Sequence, residues 1–511
     1  MTDTPTLPRS SSSNGAPAST PRTNPILIQG GMGVALSSWR LARAVASQGH
    51  LGVVSGVAIG NVLAIRLRRG DEDSLRVLRT FPDPTVSREI EEKYFRPAGT
   101  CAPQRSALTE MWSLEPTRRN ERLTVAGAFV EVALAREGHG NAVGINLLEK
   151  IALPNLASLY GAMLAGVDTV IMGAGIPLRI PGALDALSRH EKASYPIHVH
   201  DAAKTDDFRI RFDPMATFPD WTARPALVRP RFLPIVSSNA LALALLKRAD
   251  GKVDGFVIEA PTAGGHNAPP RGNVELNQEG EPIYGPRDAV DLNKMKDLGL
   301  PFWLAGSRGN PDGLRQAQAL GAVGIQVGTA FAICRESGME PTLRRRILAE
   351  ARAGHMRVRT DPLASPTGFP FKVALVEGTV SDPAVMNARE RVCNIGVLRE
   401  PFKRADGSIG YRCAAEPVSQ FVAKGGKLED TVGRACLCNG LTATVGLALA
   451  TRAGGLEPPI VTAGDDLREV AQFLPPGQDD YSAADVISYL MRGHTTAAAD
   501  VPTATSRVAA E

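Results

Sequence analysis

The chain has 511 residues, 43% apolar and 22% charged, a globular composition with room for two or three domains. A net charge of +4 is small for that length and gives no reason to expect nucleic acid or an acidic membrane surface as a partner. Six cysteines do not make a disulfide scaffold and point to a reducing, cytoplasmic compartment. No apolar run approaches the roughly 20 residues that a membrane helix requires.

Residues 1–23 are rich in Ser, Thr and Pro, lack the hydrophobic centre of a secretory signal, and read as a disordered tail. An apolar strand at 25–29 then runs into Gly30-Gly31-Met32-Gly33. A helix at 39–48 follows, capped by Ser37 or Ser38 and ended by Gly49, and leads to a second strand at 51–55. Strand, glycine turn, helix and strand make a βαβ unit, so the two strands should be parallel. Residues 58–124 carry many Arg and Pro, with helical patterns at 62–69 and 87–95. They read as an insertion above the sheet, either a packing layer or a substrate lid.

Six more apolar strands follow, at 143–147, 168–172, 232–236, 256–259, 301–305 and 323–327. Helical patterns separate them at 156–165, 181–188, 240–248, 288–297 and 312–320, the last with Asn310 as its N-cap; a further helix at 129–136 precedes the third strand. Segments 195–200 and 208–212 form an accessory strand pair that puts His198 and His200 on one face, a solvated face or a two-ligand metal fragment. Eight strands alternating with helices imply a parallel sheet closed into a (β/α)8 TIM barrel.

Functional groups of such a barrel gather at the carboxyl ends of its strands. Asn146, His266, Gly306 and Gly328 all fall at such ends. The amide of Asn146 suits a heterocycle, and equally a turn cap. His266 follows a strand and the run Ala263-Gly264-Gly265, and Pro269 and Pro270 stiffen the exit. It is either an unremarkable surface or core imidazole or a functional one. Gly306–Gly309 and Gly328-Thr329 each open a helix after the seventh and eighth strands, where free N–H groups favour a phosphate. Gly30-Gly31 and Gly264-Gly265 leave room for a flat ring.

Three blocks, Ile28-Gln29-Gly30-Gly31-Met32, Ala263-Gly264-Gly265-His266 and Gln326-Val327-Gly328-Thr329, stand in the order and strand positions seen in nitronate monooxygenases. Over roughly residues 24–335 the chain resembles that family of FMN-dependent barrels, to which FMN-dependent enoyl reductases are close relatives. The resemblance implies that FMN lies against Gly30, Gly31, Met32, Asn146, Glu259, Gly264 and Gly265. It implies that Gly306, Gln326, Val327, Gly328 and Thr329 hold the phosphate and that His266 is the catalytic base. The implied reaction takes a small-molecule nitronate and O2 to a carbonyl compound and nitrite. The departures are Gly306-Ser307 where relatives have Gly-Gly, Glu259 where they often have Gln, and Glu-Ala-Pro-Thr before the Ala-Gly-Gly-His block. Two alternatives stay open: NAD(P)H-dependent reduction of an enoyl thioester, and a flavin-free barrel that binds a phosphorylated ligand as an isomerase, lyase or binding protein.

Residues 336–490 read as a cap or second domain on the barrel, with a basic, solvated helix at 342–353 and further helices at 430–453 and 465–473. Cys393, Cys413, Cys436 and Cys438 fall within it and are either ligands of zinc or an iron–sulfur cluster or buried free thiols. Residues 491–511 read as a second disordered tail.

Overall fold

The computed structural model describes residues 23–100, 109–451 and 453–494. Apart from residue 23 and residues 491–494, the two expected tails lie outside the described residues.

Eight strands sit where the apolar runs place them: β1 (Leu27–Gln29), β2 (Gly52–Ser55), β3 (Val143–Leu148), β4 (Thr169–Gly173), β5 (Arg231–Val236), β6 (Phe256–Glu259), β7 (Phe302–Ala305) and β8 (Gly324–Val327). They form one parallel sheet with β1 beside β8 and the remaining neighbours in chain order down to β2. The sheet closes where β2 meets β1: the Gln29 amide donates to Leu51 O at 2.9 Å and the Leu51 amide to Leu27 O at 3.1 Å. Closure removes both sheet edges and makes this a (β/α)8 barrel.

Alternate residues of the strands point inward. Ile28, Val53, Ile171, Leu233, Val257 and Trp303 are each 0% exposed and fill the interior as one apolar cluster. Burying each such side chain contributes about 1.5–3 kcal/mol. Two glycines let the wall form. A Cβ on Gly324 would lie 1.8 Å from Ile26 O, and one on Gly52 would lie 1.9 Å from Ala42 O.

The insertion is a packed helical layer. Helices Ile59–Arg68, Glu72–Leu78 and Pro84–Tyr94 bury Leu63, Leu67, Leu75, Leu78 and Ile90 in the main core. The helix expected at 129–136 is longer, Arg118–Arg136, because Thr117 caps it with its side chain bound to the Asn120 amide at 3.2 Å. Its buried Glu131 pairs with Arg66 and accepts from the Trp39 amide at 2.7 Å, which ties the insertion to the first barrel helix.

Three helix expectations are corrected. In place of one helix at 288–297 there is a single turn, Pro286–Asp288, and a short helix, Leu292–Lys296, started by the Asp291 cap. In place of one at 430–453, Gly433 and Gly446 adopt φ +70 and confine the helix to Leu437–Thr444. The basic helix Pro341–Arg352 is not a solvated face: Leu343, Ile347, Leu348 and Ala351 are buried, and the buried Arg344 reaches Asp480 at 2.7 Å.

The C-terminal part is woven onto the barrel mouth. Strands Val358–Asp361 and Phe371–Ala374 are antiparallel, and the second pairs with Gly265–His266, setting Phe371 opposite His266 and Lys372 opposite Gly265. No helix among the described residues is long and apolar enough to cross a membrane.

Candidate active site

A cavity of about 1360 Å³, its open mouth included, lies at the carboxyl ends of the strands. Gly30, Gly31 and Met32 line it from the β1 turn, Asn146 from β3, and Glu259, Gly264, Gly265 and His266 from β6 and its loop. Gly306, Gln326, Val327, Gly328 and Thr329 line it from the β7 and β8 turns. Every residue singled out for a flavin or for base catalysis therefore borders one space.

Local geometry explains the glycines. A Cβ on Gly31 would lie 2.1 Å from the Asn146 Cβ, so only glycine admits that close approach of the β1 turn to β3. Gly306 has φ +96, and the following Ser307 is held at φ +49, a left-handed conformation that costs a non-glycine residue about 1–2 kcal/mol. Three buried polar atoms on the cavity wall have no partner in the protein: Gln326 Oε1, Ser307 Oγ and Asp466 Oδ1. Unpaired buried polar atoms are costly unless a ligand meets them. A carboxamide beside the β1 glycines and a hydroxyl on the β7 turn are groups that a heterocycle and a phosphate would satisfy, so the residues present fit FMN.

The turn after β8 differs from the expectation in one respect. Thr329 Oγ1 already accepts from the Gly464 amide at 2.9 Å, so its hydroxyl also anchors the C-terminal segment. Asp466, also on the cavity wall, comes from that segment; burial raises its pKa and favours the neutral acid, which limits repulsion of a phosphate.

His266 is held from three sides. Its Nε2 lies 2.7 Å from Ser365 Oγ, its ring stands edge-on to Phe371 with centroids 4.9 Å apart, and the neighbouring Gly265 amide donates to Thr462 Oγ1 at 2.9 Å. Burial and the nearby Lys150 ammonium lower its pKa to about 4, well below the ordinary imidazole value. Burial alone raises Glu259 to about 8, so its carboxyl is largely neutral at pH 7. Lys150, with its ammonium 3.0 Å from the Phe369 ring centre, is lowered by burial to about 8.

Residues of the C-terminal part that the sequence did not assign to this site complete the cavity. Val397, Leu398, Leu437 and Leu441 give it an apolar roof, and Phe371, Cys438, Thr462 and Ala463 add to its wall. They come from loops and short elements, the helix Leu437–Thr444 among them, far along the chain from the barrel strands.

Nothing in the described residues supports a metal centre at the four C-terminal cysteines. Among the described residues no three His, Cys, Asp or Glu side chains are placed to hold a metal ion, and all four thiols are free. Cys413, Cys436 and Cys438 pack in an apolar cluster with Leu437, Leu449 and Ile460. Burial pushes the Cys393 thiol up to about 12 and raises Cys413 too, whereas the hydrogen bond with Cys438 lowers Cys436. His198 and His200 stack edge-on at 4.9 Å, and His200 Nε2 meets the Glu400 carboxylate at 2.9 Å.

Residues 229–360, which run from β5 past His266 to the first C-terminal strand, match the family described as nitronate monooxygenase. A probable nitronate monooxygenase of Bacillus subtilis (strain 168) is 32% identical over 114 residues, 22% of this chain and 31% of that protein. The match therefore spans about a third of that relative's length. Among solved structures, a nitroalkane oxidase from Streptomyces ansochromogenes aligns over 91% of this chain and 94% of that one at 14% identity and TM-score 0.44. FabK from Thermotoga maritima aligns over 91% of each chain at 14% identity and TM-score 0.43.

Proposed function

We propose that this chain, whose residues 229–360 match the nitronate monooxygenase family, is an FMN-dependent oxidoreductase converting alkyl nitronates and O2 to a carbonyl compound and nitrite. The observation that carries this reading is the meeting of the His266 imidazole and the glycine corners of β1, β6, β7 and β8 in one cavity.

FMN, bound there, supplies the electron transfer from substrate and onward to oxygen. Gly306, Ser307 and the Gln326–Thr329 turn would hold its phosphate. Gly30, Gly31, Met32, Asn146, Gly264 and Gly265 would border its ring, with the neutral carboxyl of Glu259 beside them as a hydrogen-bond donor. The apolar roof excludes water from the reacting centre.

His266 takes the α-proton of a neutral nitroalkane. It is unprotonated throughout the neutral range, because burial and Lys150 disfavour the imidazolium. The nitronate formed on proton removal is an anion next to the new cation, and their attraction offsets part of that burial cost. General-base assistance of this kind is worth about 10²–10⁴ in rate. Five free thiols among the described residues are in keeping with a reducing, cytoplasmic compartment.

One observation favours a second reading. The roof of Val397, Leu398, Leu437 and Leu441 would also suit an acyl chain, as NAD(P)H-dependent reduction of an enoyl thioester requires.

The test is purification followed by His266→Asn. The protein is expected to be yellow, and the variant to keep its flavin and its turnover of preformed nitronate while losing turnover of the neutral nitroalkane by at least roughly 10². Colourless protein that does not bind added FMN would instead support the flavin-free barrel. Undiminished nitroalkane turnover would remove His266 from the mechanism.

A further inference from the structure

Behind the imidazole runs a short chain of hydroxyls. Ser365 Oγ lies 2.7 Å from His266 Nε2 and 2.8 Å from Thr367 Oγ1, and it accepts the Thr367 amide at 3.2 Å. Ser365 is 0% exposed. Its loop is clamped at both ends. Asp361 Oδ1 accepts from the Leu363 and Ala364 amides at 2.8 and 3.0 Å, and Arg434 Nη1 donates to Leu363 O and Ser365 O at 2.7 and 2.6 Å. Backbone pairing of His266 with Phe371 fixes the other side of the contact.

A serine hydroxyl offers one proton and two lone pairs. The Thr367 amide occupies one lone pair, leaving two arrangements. Either Ser365 accepts from Nε2–H and donates to Thr367 Oγ1, or it accepts from the Thr367 hydroxyl and donates to Nε2. Only the first survives protonation of the ring without rearrangement, because an imidazolium carries a proton on both nitrogens. In the second, both hydroxyls would have to turn as the proton arrived, and preorganised sites avoid that cost.

We propose that Ser365, backed by Thr367, is a positioning residue that holds His266 in its Nε2–H tautomer and so makes Nδ1 the nitrogen that accepts the substrate proton. This rests on the reading of His266 as the base. In the step itself the α C–H bond of the nitroalkane breaks and an Nδ1–H bond forms. The electron pair passes into the nitro group to give the nitronate, and Nε2–H stays on Ser365 throughout.

The tautomer can be read without substrate, from long-range ¹H–¹⁵N spectra of full-length protein labelled at histidine nitrogen. The wild type should show His266 as Nε2–H. Ser365→Ala should shift it toward Nδ1–H, and so should Thr367→Val, which leaves the imidazole's own contact in place and serves if the Ser365 variant does not fold. Thr367→Ser should restore the wild-type pattern. In turnover, Ser365→Ala should lose roughly 10- to 100-fold on the neutral nitroalkane and less than about twofold on preformed nitronate. An Nδ1–H wild type, or a tautomer unmoved by both Ser365→Ala and Thr367→Val, overturns the proposal. Failure of the nitronate reading shows separately, as the absence of nitrite from either substrate.

Discussion

At the scale of single residues, the cavity gathers ionisable groups whose surroundings move them in opposite directions. Burial lowers His266 to about 4, against an ordinary 6.5. A base must be unprotonated, so its activity is lost as pH falls through the folded value. Turnover of the neutral nitroalkane is therefore expected to be flat from about pH 8 to pH 5 and to decline with a midpoint near 4; an ordinary imidazole would decline near 6.5. Glu259 moves the other way, to about 8 from 4.5. A carboxyl whose folded pKa is raised adds relative stability that is fully present below pH 4.5 and lost as pH rises through 8. Glu259→Gln should therefore stabilise the flavin-free protein at pH 7 by up to about 3 kcal/mol in urea unfolding, with no gain at pH 4. Equal gains at both pH values would show that the carboxyl is not the source. The departures from the family pattern were visible at this scale, but the strain was not: Ser307 gives no hint in sequence of its φ of +49.

At the scale of elements, all eight barrel strands were legible because each is a short apolar run bounded by glycine or a polar residue, buried on both faces. The helices at 288–297 and 430–453 were misjudged because composition does not show where Gly433, Gly446 or the Asp291 cap takes over. The strand Gly265–His266 was not legible at all. Two residues carry no periodicity, and the partner strand lies about a hundred residues further along the chain. Barrel closure makes a demand that is local and testable. Gly324→Ala would drive a methyl to 1.8 Å from Ile26 O, backbone that belongs to the adjoining chain segment and cannot swing aside. We expect a loss of at least about 3 kcal/mol, read as a lowered Tm or as insoluble protein. A Tm within a degree or two of the wild type would contradict the register at the β1–β8 seam.

At the scale of the whole molecule, the C-terminal part is a working wall of the site rather than an appendage. Thr462 holds the Gly265 amide, the Gly464 amide is tied to Thr329, and Ser365 meets His266. The sequence could place a cap there but not say which residues face inward, since those contacts join segments about 100 to 200 positions apart. A chain ended at residue 335 should accordingly fail to retain FMN, measured by absorbance after gel filtration, even if some barrel remains. The apolar roof and the family match leave two flavin reactions in contention, and they differ in what reduces the cofactor. Anaerobic mixing of the yellow protein with a nitronate, and separately with NADH or NADPH, decides between them. The account predicts bleaching of the flavin by the nitronate alone and none by the nicotinamides. Rapid bleaching by NADH or NADPH, with no response to the nitronate, would contradict it.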